Sequence, residues 1–504
     1  MRALAAIGLW ATVSGCGLVR STMASYDVRP NGQQSQDYLL RRSLAYGQAN
    51  TTLAKLGRKG EYRPDDKLLA QLYIGLTAYY AGEYRQSVHA LQQAHDMAED
   101  RYTKSVSKGS LSMVTSDRAL PYMPGDNERL LVHYYGMLAY LKLGELEDAA
   151  VEARRLSSLL ERFDEKRNEM DASTRALLRY VAGAVFEAFG DANDADVAYR
   201  NARRLGGDSA FRSVRMGGPK HTSATPARMV ALAGMESPDY GEVLVVLEYG
   251  FVAHRVQQEL LIAVDEHDVN LFADRDGDDV SNHAHRVSAD ALRKVRHSRT
   301  GNLEYESRIP AKQHRGRGRE PDTVVRKSDV WMKIAWPVYD RPSVLTARPW
   351  ITLADGSAAP MLLQADLSDA AVADYNRQAA FLLARAVARA GVKQALAAAA
   401  EKAAEGDAKD KKKKAVKDTE GWLAKTAVQF AANLLERADT RSWQVLPSQL
   451  GVLRLQVPVG TQSLKLTMPG DGQTAGRSIE LGDVVVRAGE ISFVTARVWG
   501  NSAY

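Results

Sequence analysis

The chain has 504 residues, of which 45% are apolar and 25% are charged, and its formal net charge is +6. This composition is typical of a globular protein and, at about 150 residues per domain, predicts roughly two to four domains. Cys16 is the single cysteine, so disulfides within the chain are excluded and each domain must be held by its core. No later window is apolar enough for a membrane-spanning helix.

Residues 1–16 begin with Met-Arg, continue as an uncharged apolar run and end in Val-Ser-Gly-Cys. This pattern is typical of a secretory signal. Its end resembles the lipobox of bacterial lipoproteins. That resemblance implies removal of a signal peptide at 1–15, attachment of a diacylglyceryl group to the Cys16 thiol and acylation of the new α-amine. The alternatives are a secretory signal with an unrelated cysteine, or a short buried helix.

The segment 16–36 is polar and predicts a lipidated tether between the anchor and the first domain. Gly17, rather than an aspartate, follows the cysteine, and by the same resemblance this points to the outer membrane. We therefore expect an envelope protein that is held by its lipid and faces the periplasm, with exposure at the cell surface as the alternative.

Residues 37–205 predict a helical domain, because apolar residues recur at intervals of three and four. Three segments share one pattern, in which small residues such as Gly75 and Gly183 precede a turn glycine. The turn glycines are Gly82, Gly144 and Gly190. The pattern resembles the tetratricopeptide repeat, in which small residues let two helices pack closely. Because the turn glycines are 62 and 46 residues apart rather than about 34, a generic helical bundle is the alternative.

Two helical motifs in this domain carry a second resemblance. Glu-Arg-Leu-Leu-Val-His-Tyr-Tyr at 128–135 precedes Val-Glu-Ala-Arg-Arg at 151–155. These motifs resemble a family of uncharacterised lipoproteins of Gram-negative envelopes, with tetratricopeptide-type helices and a C-terminal α/β part. The similarity continues at 333–339 and 437–447, and the family has no assigned activity to transfer.

Polar side chains of these two motifs are candidates for a partner-binding groove, because they are expected near one face of a helix pair. The candidates are Glu128, His133, Tyr134, Glu152 and Arg155. The alternative is salt bridging between exposed charges, which contributes little to stability. For Arg154 and Arg155 this alternative is favoured, since charge runs usually lie on solvated faces.

The hydrophobic pattern changes after a linker at 206–240 that is rich in Gly, Ser, Thr and Pro. The β-branched run at 242–249 predicts a buried strand in a β-rich domain that spans 241–365. Weaker strands are predicted in the same domain at 260–264, 330–336 and 344–353.

The C-terminal part combines a helical and a β segment. Residues 366–440 predict a helical hairpin that is interrupted by a Lys-rich linker at 407–419. Residues 441–504 predict a small C-terminal β-sandwich, with Trp443 in its core. The predicted fold is therefore α+β and multidomain.

Two loops of the β-rich domain raise the question of ligands. The loop 274–279 has carboxylates at alternating positions, as calcium loops do, but Asp279 replaces the required glycine and His285 the terminal glutamate. An acidic surface turn is therefore favoured, and the neighbouring histidines lack a known zinc spacing. The Arg-rich loop 314–319 is interpreted as solvated, with lipid or glycan binding as the alternative.

The sequence contains no serine-nucleophile elbow, no phosphate-binding glycine loop and no zinc-protease motif. We therefore expect a non-enzymatic scaffold that binds an envelope protein through its helical repeats. No nucleic acid and no cofactor other than the lipid on Cys16 are expected. The alternatives are an accessory activator of peptidoglycan synthesis or surface assembly, and a glycan- or lipid-binding envelope module.

Overall fold

A computed structural model gives the fold. It describes residues 36–57, 64–104, 120–165, 171–206, 212–216, 224–226, 239–264, 269–273, 285–286, 296–297, 303–304, 330–340, 348–361, 363–376, 438–470 and 476–499. The predicted signal, Cys16, the tether up to residue 35, the loops 274–279 and 314–319 and the segment 377–437 lie outside the described residues.

Helices form the N-terminal part of the described chain. They are α1 (Gln36–Ala45), α2 (Ala49–Leu56), α3 (Lys67–Ala81), α4 (Tyr84–Lys104), α5 (Asp126–Leu143), α6 (Leu146–Glu165), α7 (Ala172–Phe189) and α8 (Ala192–Gly206). Consecutive helices pack as three helical hairpins, α3–α4, α5–α6 and α7–α8. Within the described ranges, no helix has both the length and the apolarity to cross a bilayer.

Each hairpin turns at one of the predicted turn glycines. Gly82, Gly144 and Gly190 have φ of 82°, 75° and 90°, a conformation in which a side chain would be strained. Close packing within two hairpins also requires glycine. A Cβ at Gly75 would lie 2.7 Å from the side chain of Leu91, and one at Gly183 would lie 2.8 Å from the ring of Tyr199.

A helical segment at 367–376, at the start of the predicted hairpin 366–440, also lies in the described part, and strands form most of the remainder. They are β1 (Arg212–Arg215), β2 (Ala224–Pro226), β3 (Tyr240–Tyr249), β4 (His254–Val264), β5 (Val269–Ala273), β6 (His285–Arg286), β7 (Arg296–His297), β8 (Leu303–Glu304), β9 (Val330–Asp340), β10 (Trp350–Leu353), β11 (Ala358–Pro360), β12 (Leu363–Asp366), β13 (Gln449–Pro458), β14 (Gly460–Met468), β15 (Arg477–Val486) and β16 (Ile491–Val498). The central sheet has the order β16-β3-β13-β1-β2, with β12 also paired to β13. A second sheet has the order β11-β10-β14-β15, and a third β6-β5-β4-β9.

The central sheet joins parts of the chain that the sequence analysis assigned to separate domains. β3 pairs antiparallel with β13 and parallel with β16, so Val246 lies beside both Val452 and Thr495. The predicted β-rich domain at 241–365 and the C-terminal β domain at 441–504 therefore share one sheet. β1 lies within the predicted linker 206–240 and pairs with β13. Strands pair according to which of their faces is apolar, and the distance between two strands in the sequence does not show whether they will pair.

The central sheet is covered on both faces. Along β3, Leu244 and Val246 belong to the core that contains the helices, whereas Val243 and Val245 belong to the core against the second sheet. A strand with two buried faces favours apolar residues at successive positions, which explains the apolar run at 243–247. The described fold is thus α+β, with helices, central sheet and second sheet as successive layers.

Candidate functional site

The structure brings together three of the five predicted partner-binding residues. His133 lies on α5, and Glu152 and Arg155 lie one turn apart on α6. Nδ1 of His133 is 2.7 Å from Oε2 of Glu152, and Nη1 of Arg155 donates to Oε1 of the same carboxylate at 2.7 Å. Because a carboxylate only accepts, its ionised form fixes the proton of His133 on Nδ1.

The three linked side chains run from the interior to the surface. The side chains of His133 and Glu152 are 5% and 9% exposed, whereas that of Arg155 is 41% exposed. Gly136 makes room for this arrangement, since a Cβ there would lie 3.3 Å from Oε2 of Glu152. Arg155 also donates to Oε1 of Gln92 on α4 at 2.8 Å, so the polar contacts join two neighbouring hairpins.

A second histidine, which the sequence analysis did not single out, adjoins this group. The ring of His95 on α4 meets the ring of His133 edge to face, with centroids 4.8 Å apart. Burial and the neighbouring His133 lower the pKa of His95 below its ordinary value. The non-protonated form of His95 is therefore favoured.

An ion pair closes one side of the same region. Arg129 donates to Oε1 of Glu99 at 2.6 Å, and its guanidinium lies 4.1 Å from the ring centroid of Tyr102. Burial acts to raise the pKa of Glu99, but the hydrogen bond and charge of Arg129 outweigh it, and the pKa of Glu99 is lowered.

His95, Glu99, Arg129 and His133 line one cleft between the first and second hairpins, whereas Glu152 and Arg155 lie outside its lining. We call it the histidine cleft; its polar lining is His95, Glu99, Arg129, His133 and Arg162. Its apolar lining comes from α3, α4 and α6, including Leu68, Leu72 and Leu159. The free space between these residues is about 20 Å³, roughly the room of one water molecule, so the cleft offers a partner its charged rim rather than a pocket for a side chain.

The other two predicted residues face the opposite side of the helical hairpins. Glu128 accepts hydrogen bonds from the backbone N–H of Gly125 at 3.0 Å and of Trp443 at 2.7 Å, and from the hydroxyl of Tyr122. Burial raises the pKa of Glu128 despite these donors. Tyr134 is fully buried in the core. Both residues therefore lie apart from the histidine cleft.

The chain's own β part covers the hairpin face that carries Glu128 and Tyr134. Trp443 is completely buried, and its ring centroid lies 6.1 Å from that of Tyr135 on α5. Leu446, Leu450 and Val452 belong to the same core as the helices. The placement of Trp443 in a core is confirmed, but this core is the one shared with the helices. A partner must consequently approach a different face.

Arg454 makes a further contact between helices and sheet that the sequence analysis did not predict. From β13 it donates to Glu187 on α7 and to the hydroxyl of Tyr199 on α8, both at 2.8 Å, and it pairs with Glu242 on β3. Burial opposes its charge, but Tyr199 and the two glutamates raise the pKa of Arg454. The sequence does contain one indication of this contact, since Arg454 is a charged residue within the otherwise apolar run of β13.

In the described part of the chain, no three His, Cys, Asp or Glu side chains converge closely enough to hold a metal ion. Comparison of the chain with protein-family models, curated proteins and solved structures found no match.

Proposed function

We propose that the chain is a lipid-anchored, non-enzymatic scaffold of the bacterial envelope that binds a protein partner on the outer face of α4 and α6, beside the histidine cleft. The observation that carries this proposal is the polar path from buried His133 through Glu152 to exposed Arg155, which also contacts Gln92 of the neighbouring hairpin. Such a path offers a partner ionic groups that are already held in place, so little side-chain entropy is lost on binding.

The helical hairpins support a repeat-type scaffold. Their turn glycines and the close approach at Gly75 and Gly183 are features that tetratricopeptide repeats share. We propose that the hairpins are divergent repeats of this type, with one face covered by the chain's own sheet. The outer face at α4 and α6 then remains for the partner.

The lipid anchor would determine where this scaffold acts. Cys16 and its preceding small residues support a lipid anchor, Gly17 supports the outer membrane, and the polar tether at 16–36 would act as a spacer. Confinement to one membrane raises the effective concentration of a partner in the same envelope without additional contacts.

Crosslinking in cells tests the proposed surface. A photoreactive amino acid at Asp96 would be exposed beside the cleft, because Asp96 directly follows His95 of the cleft lining on α4. The same probe at Asp355, in the exposed turn between β10 and β11, is the matched control. We expect a discrete crosslinked protein from Asp96 and none from Asp355, with mass spectrometry giving its identity.

A charge-reversal variant tests whether the crosslink depends on Arg155. Arg155→Glu should remove the product formed from Asp96 while leaving expression unchanged, since the side chain of Arg155 is 41% exposed. Identical products from Asp96 and Asp355, or no product at any cleft position, would contradict the proposal. A peptidoglycan synthase among the captured proteins would favour the activator role over a general scaffold.

A further inference from the structure

A buried carboxylate lies where the first two hairpins pack on the central sheet. Glu248 is on β3, in the same row as Leu244 and Val246, and this row faces the helices. Glu248 is only 1% exposed. We call its surroundings the helix–sheet junction; the side chains that define it are Tyr79, Tyr80, Tyr134, Tyr135, Glu248 and Arg497.

The junction contains several buried polar atoms without a hydrogen-bond partner among the described residues. They are both carboxylate oxygens of Glu248, the hydroxyls of Tyr79 and Tyr134, and Nε of Arg497. Buried polar atoms are paired in the great majority of native structures, so a group of unpaired atoms in one place requires an explanation. One explanation is that Glu248 binds a proton, because burying a neutral carboxylic acid costs far less solvation free energy than burying a carboxylate.

The neighbouring cation does not neutralise Glu248 fully. Nε of Arg497 lies 4.0 Å from Oε2 of Glu248. The Nη atoms of Arg497 instead donate to backbone oxygens, at 3.0 Å to Val498 and 2.5 Å to Gly250. Its guanidinium also lies 4.0 Å from the ring centroid of Trp499. Arg497 is thus held mainly by the backbone and by aromatic rings.

The titratable groups around Glu248 come from three elements. Tyr79 and Tyr80 lie on α3, Tyr134 and Tyr135 on α5, and Arg497 on β16, while exposed Lys142 near the end of α5 adds a positive charge. On β13 the residue opposite Glu248 is apolar Leu450. The hydroxyls of Tyr80 and Tyr135 lie 3.4 Å from each other, and both favour the charged form of Glu248.

We propose that Glu248 is a proton-binding site that couples the packing of the first two hairpins on the central sheet to pH. In the protonated form the carboxylic acid fits the dry, tyrosine-lined junction. Loss of the proton places a charge there, and the junction must then admit water or shift its hydroxyls. The protonated form therefore favours tight packing of α3 and α5 against β3.

The direction of the titration agrees with this geometry. Burial raises the pKa of Glu248 to about 7, although Arg497 and the tyrosine hydroxyls act against it. The folded chain therefore binds this proton more tightly than the unfolded chain, whose glutamates have pKa values of about 4.3. The contribution of Glu248 to stability is fully present below the unfolded value, falls as the pH rises from there to about 7, and then levels off.

Urea unfolding of the full chain between pH 5.5 and 8 tests the proposal. The folding equilibrium constant should fall by roughly tenfold or more over this range because of Glu248. Glu248→Gln, a neutral side chain of similar shape, should remove that part of the dependence. Glu480→Gln is the matched control, since the side chain of Glu480 on β15 is 70% exposed, and it should keep the wild-type profile.

If Glu248→Gln does not fold, a second variant still tests whether Glu248 causes the pH dependence. Tyr135→Phe removes a hydroxyl that favours the charged form of Glu248, so the midpoint of the pH profile should move to higher pH. An unchanged midpoint in Tyr135→Phe, or parallel profiles for wild type and Glu248→Gln, would overturn the proposal. The unfolding profiles of both variants depend on the helix–sheet junction, and they do not depend on partner binding beside the histidine cleft.

Discussion

Oε1 of Glu128 accepts a hydrogen bond from the backbone N–H of Trp443 at 2.7 Å, across 315 residues of sequence. Glu128 lies in the first turn of α5, where a carboxylate is favoured by the helix dipole, and Trp443 lies in the segment that leads into β13. One carboxylate therefore stabilises the start of a helix and also holds the β part against the hairpins.

Glu128→Ala should destabilise the fold by about 2–3 kcal/mol, because it leaves the backbone N–H groups of Gly125 and Trp443 without their acceptor. Chemical denaturation measures the change. Glu147→Ala, an exposed carboxylate in the first turn of α6, should change the free energy of unfolding by less than about 0.5 kcal/mol. Equal effects of both substitutions would contradict the role assigned to Glu128.

Arg454→Met should lower the free energy of unfolding by about 3–5 kcal/mol, because Glu187 and Glu242 would lose their buried counterion. Arg200→Met is a suitable control, since Arg200 pairs with Asp196 on the exposed surface of α8 and should have almost no effect. Thermal unfolding of the two variants under identical conditions makes the comparison. A mild effect of Arg454→Met would show that the two glutamates can be hydrated in place.

Gly183→Ala should cost about 1–3 kcal/mol, because the new methyl group would lie 2.8 Å from the ring of Tyr199 and push α7 away from α8. Gly57→Ala is the matched control. Its added methyl group would meet only the carbonyl oxygen of Leu53 at 3.7 Å, and its backbone is right-handed. Equal melting temperatures of wild type and Gly183→Ala would refute the close packing of the third hairpin.

Cys16→Ser should leave the chain without lipid and abolish stable membrane attachment, since a serine cannot form the thioether. Metabolic labelling with palmitate, followed by membrane fractionation, measures both effects in the same cells. Label that persists in the Cys16→Ser protein would refute the assignment of the anchor.

Local features of the fold could be predicted from the sequence, because they depend on neighbouring residues. The strand at 242–249 corresponds to β3, and the turn glycines end α3, α5 and α7 as predicted. The parallel pairing of β3 with β16 could not be predicted, since these strands are about 250 residues apart and their apolar runs fit many partners.

The histidine cleft could be predicted only in part. His133, Glu152 and Arg155 share one hairpin, so helical spacing placed them near one another. His95 comes from the preceding hairpin, and its contact with His133 depends on how two hairpins pack. The covering of the other hairpin face by Trp443 and β13 is also a long-range property, which local periodicity does not contain.

The position of β3 in the central sheet has a consequence for biogenesis. Both of its neighbours, β13 and β16, lie within the last sixty residues of the sequence, so β3 and the apolar faces of the hairpins stay uncovered until those strands have been synthesised. Contacts of such long sequence separation form slowly. The newly made chain must therefore pass through a stage with exposed apolar helix faces and an unpaired strand edge, and chaperones should bind it at that stage.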